Sequence, residues 1–147
     1  MTSHQVYLGL GSNLGDREGN IRKAIALLHE RVGEVVRQSS LIETVPWGFE
    51  SEHRFLNGVI LCETTLTPRQ VLKATQKIER ELGKTKAHAT KRQLSMLNSQ
   101  LPTFKDRPID IDILLYDDWE VEEPDLKIPH PLMRERDFVM IPLKEIL

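Results

Sequence analysis

Two aspartates spaced for one face of a strand are the side chains of this chain best suited to chemistry. Residues 107–116 read RPIDIDILLY, and their alternation predicts a strand with Asp110 and Asp112 on one face and isoleucines on the other. Carboxylates placed in this way lie roughly 7 Å apart and repel each other unless a cation lies between them. Mg²⁺ is usually held by one or two carboxylates together with water and phosphate oxygens. The pair therefore predicts a site for Mg²⁺ and a nucleotide.

The same stretch has a second interpretation, which its residues alone leave open. It can be an edge strand with a hydrated polar face, on which Arg107 is a surface partner of Asp110. In that interpretation the two carboxylates bind no metal.

Several predicted elements must position this strand. The pattern predicts a strand at residues 6–10 with a turn at 11–15, an amphipathic helix, strands at 35–44 and 55–64, and a helix at 68–83 capped by Thr67. With the aspartate strand, the order β-α-β-β-α-β predicts an α+β fold: a ferredoxin-like plait with C-terminal additions, in which two helices pack on one side of a mostly antiparallel sheet. A plait supports no chemistry by itself.

The remaining segments predict connectors and a closing element. Residues 84–106 have no clear period and predict a long, lid-like basic loop. A short return strand is expected from Val121, then a proline-rich connector over 124–131, and apolar residues 138–143 that close the core before a last short helix. We expect residues 1–147 to form a single domain.

Composition limits the classes of function. The chain has 147 residues and a net charge of −2, which gives no general attraction to nucleic acid or to anionic membranes. Cys62 is the only cysteine and is expected to be a buried, inert thiol. The N-terminus shows no signal-like apolar run, so we expect a cytoplasmic protein without an obligate protein partner.

Three motifs together resemble one enzyme family. The motif R-x-x-D-I-D-I-L-L at 107–115, with G-S-N-L-G-D-R at 11–17 and P-H-P at 129–131, is similar to 6-hydroxymethyl-7,8-dihydropterin pyrophosphokinases of the folate pathway. The resemblance covers essentially the whole chain. It implies transfer of the β,γ-diphosphate of ATP to the hydroxymethyl group of the pterin, with release of AMP and with two Mg²⁺ ions as cofactors.

The resemblance also implies roles for individual residues. The metal ligands are Asp110 and Asp112, and the catalytic residues are these two with Arg107 and Lys84. ATP would bind at Gln76, Lys86, Arg107, Ile113, Lys127, His130 and Arg136. The pterin would bind at Thr44, Val45, Trp47, Phe55, Asn57, Asp110 and Phe138.

The chain departs from the family pattern in the long loop. Many members have Gly-Arg-x-Arg where this chain has residues 83–86 as GKTK, and Trp-Gly-Pro where it has residues 104–106 as FKD. This departure motivates an alternative, a non-catalytic plait that binds a nucleotide or pterin. A plait that binds RNA is disfavoured, since aromatic residues are 5% of the chain and no strand has the aromatic pattern of RNA-binding plaits.

Overall fold

The computed structural model describes residues 2–44, 54–83 and 108–147. The strands in these ranges are β1 (His4–Ser12), β2 (Gly33–Gln38), β3 (Ile42–Thr44), β4 (Phe55–Thr64), β5 (Asp110–Tyr116), β6 (Val121–Glu123) and β7 (Leu126–Ile128). The helices are α1 (Arg17–Arg31), α2 (Pro68–Gly83) and α3 (Asp137–Ile146), and a 3-10 turn spans Met133–Glu135.

The main sheet has the order β2-β4-β1-β5, and β3 pairs with β4 beyond the end of β2. All of these pairings are antiparallel. The unit β1-α1-β2 leaves a gap between its two strands, and β4 fills that gap. The predicted ferredoxin-like plait is therefore confirmed.

Helices α1 and α2 cover one face of the sheet. Alternate residues of β1, namely Val6, Leu8 and Leu10, are at most 3% exposed and pack with the apolar side chains of both helices. Cys62 lies in the same cluster, and burial raises the pKa of its thiol to about 12. The expected buried, inert thiol is thus confirmed.

Helix α2 begins as its sequence predicts. The Thr67 N–H donates to Gln70 Oε1 over 2.9 Å, and the Gln70 N–H donates to Thr67 Oγ1 over 3.2 Å. This reciprocal pair satisfies two backbone donors that a helix start would otherwise leave without partners.

Helix α3 covers the opposite face of the sheet, and the sequence analysis did not predict this second layer. Val139, Leu143 and Ile146 of α3 pack there against Leu61 of β4 and Leu114 of β5. The expectation of two helices on one side is therefore incomplete. Residues 138–143 do close the core, but as part of one helix that has Pro142 inside it.

Three predicted boundaries were wrong. The expected strand at 35–44 is divided into β2 and β3, because the Ser39 hydroxyl between them accepts the Val59 N–H of β4 over 2.8 Å in place of a backbone carbonyl. The expected connector at 124–131 contains β7, which forms a hairpin with β6. Strand β1 continues through Gly11 to Ser12, where a turn was expected.

No helix within the described residues is long and apolar enough to cross a membrane.

Candidate functional site

The aspartate pair lies on the side of the sheet against which α3 packs. Ile109, Ile111 and Ile113 are buried under the other two helices, whereas Asp110 and Asp112 are half-buried on the opposite face. The predicted alternation is confirmed. A bulge opposite Tyr7 and Leu8 ends this alternation after Leu114, because Leu115 also packs in the α3 cluster while Tyr116 lies in the cluster beneath α1 and α2.

The neighbouring strand opposes both aspartates with glycine. Asp110 pairs with Gly11 and Asp112 with Gly9 in the β1–β5 register. Successive strand residues point to opposite faces, so these glycines belong to the aspartate face. Strand β1 therefore places no side chain of its own beside the two carboxylates.

A second polar group faces the aspartates across Gly11. Asn57 pairs with Gly11 in the β1–β4 register and is only 5% exposed. Its Nδ2 donates to Thr44 Oγ1 over 2.7 Å, while its Oδ1 reaches over the glycine, 2.8 Å from where a Cβ would be. The Phe55 ring lies 3.4 Å from the same position. The structure thus brings Thr44, Phe55, Asn57 and Asp110 onto one face.

His130 joins the same region from the segment before α3. Its N–H donates to the Leu114 carbonyl over 3.0 Å, and its Nδ1 accepts the Leu132 N–H over 3.2 Å. Burial lowers the pKa of His130, as does the charge of Arg136, whereas the charge of Asp110 raises it. The imidazole is therefore neutral at pH 7 and keeps its proton on Nε2.

Arg136 and Phe138 complete the described part of the site. Arg136 is only 8% exposed, and its Cζ lies 5.6 Å from the centroid of the Phe138 ring. Phe138 itself packs at the edge of the apolar cluster beneath α3. This arrangement places a guanidinium and an aromatic ring at the same end of the sheet as His130 and Asp110.

Other predicted site residues lie elsewhere. Gln76 is exposed on α2, and Lys127 is exposed on β7 with its Nζ 3.6 Å from Glu122 Oε2. The Ile113 side chain is in the core beneath α1 and α2, on the face opposite to the two aspartates. Val45, Trp47, Lys84, Lys86 and Arg107 lie outside the described residues, as does the predicted loop at 84–106.

Sequence reasoning missed the glycines of β1 and a glutamate on α2. The period-two spacing of Gly9 and Gly11 between leucines was a usable signal, because it marks one strand face without side chains. Glu79 gave no comparable signal. Its Oε2 accepts the N–H of Ile111, the residue between the two aspartates, over 2.9 Å.

A plait that combines, on the face shared with α3, paired carboxylates with a buried guanidinium and aromatic rings has the features of an enzyme acting on phosphorylated or ring-shaped substrates. The family model for 7,8-dihydro-6-hydroxymethylpterin-pyrophosphokinase matches residues 7–147. The chain belongs to this family.

Two bacterial relatives agree with that assignment, and one solved structure shares the fold. A 2-amino-4-hydroxy-6-hydroxymethyldihydropteridine pyrophosphokinase of Porphyromonas gingivalis is 46% identical over 142 residues, covering 96% of this chain and 89% of the relative. The enzyme of that name from Bacillus subtilis is 41% identical over 141 residues, covering 95% and 76%. The crystal structure of an HPPK-DHPS in complex with substrates matches 99% of this chain with a TM-score of 0.71 and 14% identity. This chain spans 40% of that one, and the likeness concerns the fold.

Proposed function

We propose that the face of β5, β1 and β4 carrying Asp110, Asp112 and Asn57 binds both substrates of a diphosphate transfer. As a member of the pyrophosphokinase family, the chain transfers the diphosphate of ATP to the hydroxymethyl group of 6-hydroxymethyl-7,8-dihydropterin, giving AMP and the pterin diphosphate in folate biosynthesis. The observation that carries the site assignment is the row of Asp110, Gly11 and Asn57 across three adjacent strands.

Asp110 and Asp112 are the proposed ligands of Mg²⁺, with two ions expected. Within the described residues no group of three or more His, Cys, Asp or Glu side chains is arranged to hold a metal ion, and Mg²⁺ bound with phosphates needs only one or two carboxylates. Gly9 and Gly11 add no side chain beside the pair, which fits a site shared with a polyphosphate. Bound Mg²⁺ would neutralise the charge that develops on the phosphate oxygens.

The pterin is proposed to lie beside Asn57 and Phe55, the two side chains that reach over Gly11. Asn57 offers its carbonyl oxygen to donors on the pterin edge, and its amide is already oriented by Thr44. Phe55 and Phe138 would supply ring faces for stacking, worth about 0.5 to 1.5 kcal/mol for a pair beyond simple burial. Because Gly11 has no side chain, Asn57 Oδ1 and the Phe55 ring both reach over this part of β1, where a flat ligand can contact them together.

The nucleotide is proposed to contact the groups at the α3 end of the site. Neutral His130 donates a hydrogen bond from Nε2, and Arg136 supplies positive charge to phosphate oxygens. The proposed ATP-binding set also includes Gln76, Lys127 and the backbone of Ile113. The segment between α2 and β5 would add the remaining ATP-binding and catalytic residues, Lys84, Lys86 and Arg107. Val45 and Trp47 complete the pterin set.

The test of the metal ligands removes one carboxylate charge at a time. Asp110→Asn and Asp112→Asn keep the shape of the side chain, so we expect intact folding and a loss of Mg²⁺-dependent turnover of about a hundredfold or more, as for other electrostatic groups aimed at a transition state. Asp118→Asn, in the exposed turn after β5, is the control. Turnover near the wild-type rate in either test variant would overturn the assignment.

We also propose that the activity needs no second protein and operates in the cytoplasm as a single domain over residues 1–147. The single buried thiol of Cys62 supports a reducing compartment, because it needs no disulfide partner. Catalysis by the purified chain alone would support the proposed independence.

A further inference from the structure

The strand that carries the aspartates is held from two sides. On one side β5 pairs with β1, and it lies at one edge of the main sheet that the described strands form. In an antiparallel strand the backbone groups of successive residues point alternately to the two neighbours. The N–H of Ile111 points away from β1, because it donates to Glu79 Oε2 over 2.9 Å. Asp110 and Asp112 therefore direct their backbone groups to β1, while the residue between them is held by α2.

Helix α2 contacts the start of β5 at a second point. Gly83, one helical turn after Glu79, approaches Pro108 so closely that a Cβ there would lie 3.4 Å from three atoms of the proline ring. Residues four apart lie on the same side of a helix, so Glu79 and Gly83 form one contact surface. This surface lies against residues 108–111.

The hydrogen bond from Ile111 to Glu79 gives an edge strand a partner for one of its outward-facing backbone groups. A backbone N–H on the outer edge of a sheet would otherwise be left to water or to another chain. A carboxylate acceptor makes a stronger bond to that N–H than a neutral group does. Glu79 is half-buried, and α2 itself is fixed to the sheet by buried Val71 and Ile78. The bond therefore ties the aspartate segment to a rigid element.

We infer that Glu79 is a positioning residue for the diphosphate transfer: by accepting the Ile111 N–H it fixes the backbone from which Asp110 and Asp112 reach Mg²⁺. The inference rests on the proposed metal site. Glu79 acts through the strand and touches neither substrate in this role. Removing a residue that orients the ligands of a metal without touching the metal typically changes metal affinity or activity by about 10- to 100-fold.

Two substitutions at Glu79 separate a positioning role from a merely structural one. Glu79→Ala removes the acceptor, whereas Glu79→Gln keeps an acceptor oxygen of the same reach without the charge. We expect the alanine variant to need on the order of tenfold more Mg²⁺ for half-maximal activity at saturating ATP and pterin. The glutamine variant should stay within about threefold of wild type, because its amide oxygen restores the bond.

The hydrogen bond itself is measured without metal. Hydrogen exchange of the Ile111 amide, followed by NMR, should be faster in Glu79→Ala and protected in Glu79→Gln. The matched control is Glu81→Ala, also on α2, whose carboxylate pairs with Arg31 of α1 instead of β5. We expect this control to keep the wild-type Mg²⁺ dependence.

Three results would overturn the inference. One is an unchanged Mg²⁺ dependence in Glu79→Ala despite faster Ile111 exchange. The second is a glutamine variant as impaired as the alanine variant, which would assign the effect to charge. The third is wild-type Mg²⁺ dependence in Asp110→Asn and Asp112→Asn, which would remove the proposed metal site and the inference with it; only this result would count against the proposed function.

Discussion

At the scale of single residues, Gly11 determines where Asn57 and Phe55 lie, because the absence of its side chain leaves room for both of them. Asn57 Oδ1 lies 2.8 Å and Phe55 Cδ1 lies 3.4 Å from the position that a Cβ would take. A contact of 2.8 Å is too short for a methyl group, so any side chain here must displace the amide. The hydrogen bond from Asn57 to Thr44 would be lost with that displacement.

Gly11→Ala should therefore weaken pterin binding selectively. Losing one oriented hydrogen bond costs about 1 to 1.5 kcal/mol, so we expect the KM for the pterin to rise about tenfold while the KM for ATP changes little. Gly9→Ala is the control, since its Cβ would make ordinary 3.5 Å contacts with Leu114. Steady-state kinetics with each substrate varied would check this. Equal effects of the two variants on the pterin KM would contradict it.

His130 should report the charge of Asp110. Burial lowers the pKa of His130 first, the positive charge of Arg136 adds to this effect, and the Asp110 carboxylate opposes it. Removing that carboxylate in Asp110→Asn should lower the pKa of His130 further. NMR titration of the imidazole C–H signals in Mg²⁺-free buffer would measure it, with Asp125→Asn, at the salt bridge to Arg69, as the control. A pKa that stays constant or rises in Asp110→Asn would contradict the described geometry.

The lowered pKa also sets the sign of a stability effect. An unfolded histidine titrates near pH 6.5. Between that pH and the lower folded value, the unfolded chain binds more protons than the folded one. The His130 contribution is thus fully present above about pH 6.5 and is lost as the pH falls toward the folded value.

At the scale of elements, α2 positions one side of the site and depends on its own start. The Thr67 hydroxyl accepts the Gln70 N–H, and the side-chain oxygen of Gln70 accepts the Thr67 N–H. Thr67→Ala should lower the free energy of unfolding by about 1 kcal/mol, the usual cost of losing an N-cap. Urea denaturation would measure this, with exposed Thr65→Ala as the control. A loss no larger than that of the control would show that the cap adds nothing.

Local signals explain why this helix and the aspartate strand could be predicted from the sequence. Capping residues, helical spacing and the alternation of Asp110 with isoleucines all act over a few residues. The break between β2 and β3 depends instead on the Ser39 hydroxyl, which accepts the Val59 N–H of β4, a residue distant in sequence. The role of Gly11 depends likewise on the register of β1 with β4 and β5, and the Glu79 bond on the docking of α2. Such tertiary relations leave no periodic pattern in the sequence.

At the scale of the whole molecule, two apolar layers hold one central sheet. The cluster beneath α1 and α2 fixes the strands, and the cluster beneath α3 fixes the segment with His130, Arg136 and Phe138. The contacts of Arg37 with the Ile146 carbonyl and of Ser40 with Glu145 fasten α3 to the other edge of the sheet. Residues far apart in the chain thereby meet on one face, as the proposed transfer between two substrates requires.

The most direct test of this account is to identify the nucleotide product. Purified protein would be incubated with ATP, Mg²⁺ and 6-hydroxymethyl-7,8-dihydropterin, and the products would be separated by chromatography, with controls that lack the pterin or the metal. We expect AMP and the pterin diphosphate in equal amounts, and only when both pterin and Mg²⁺ are present. Formation of ADP, or binding of both ligands without AMP, would contradict the account.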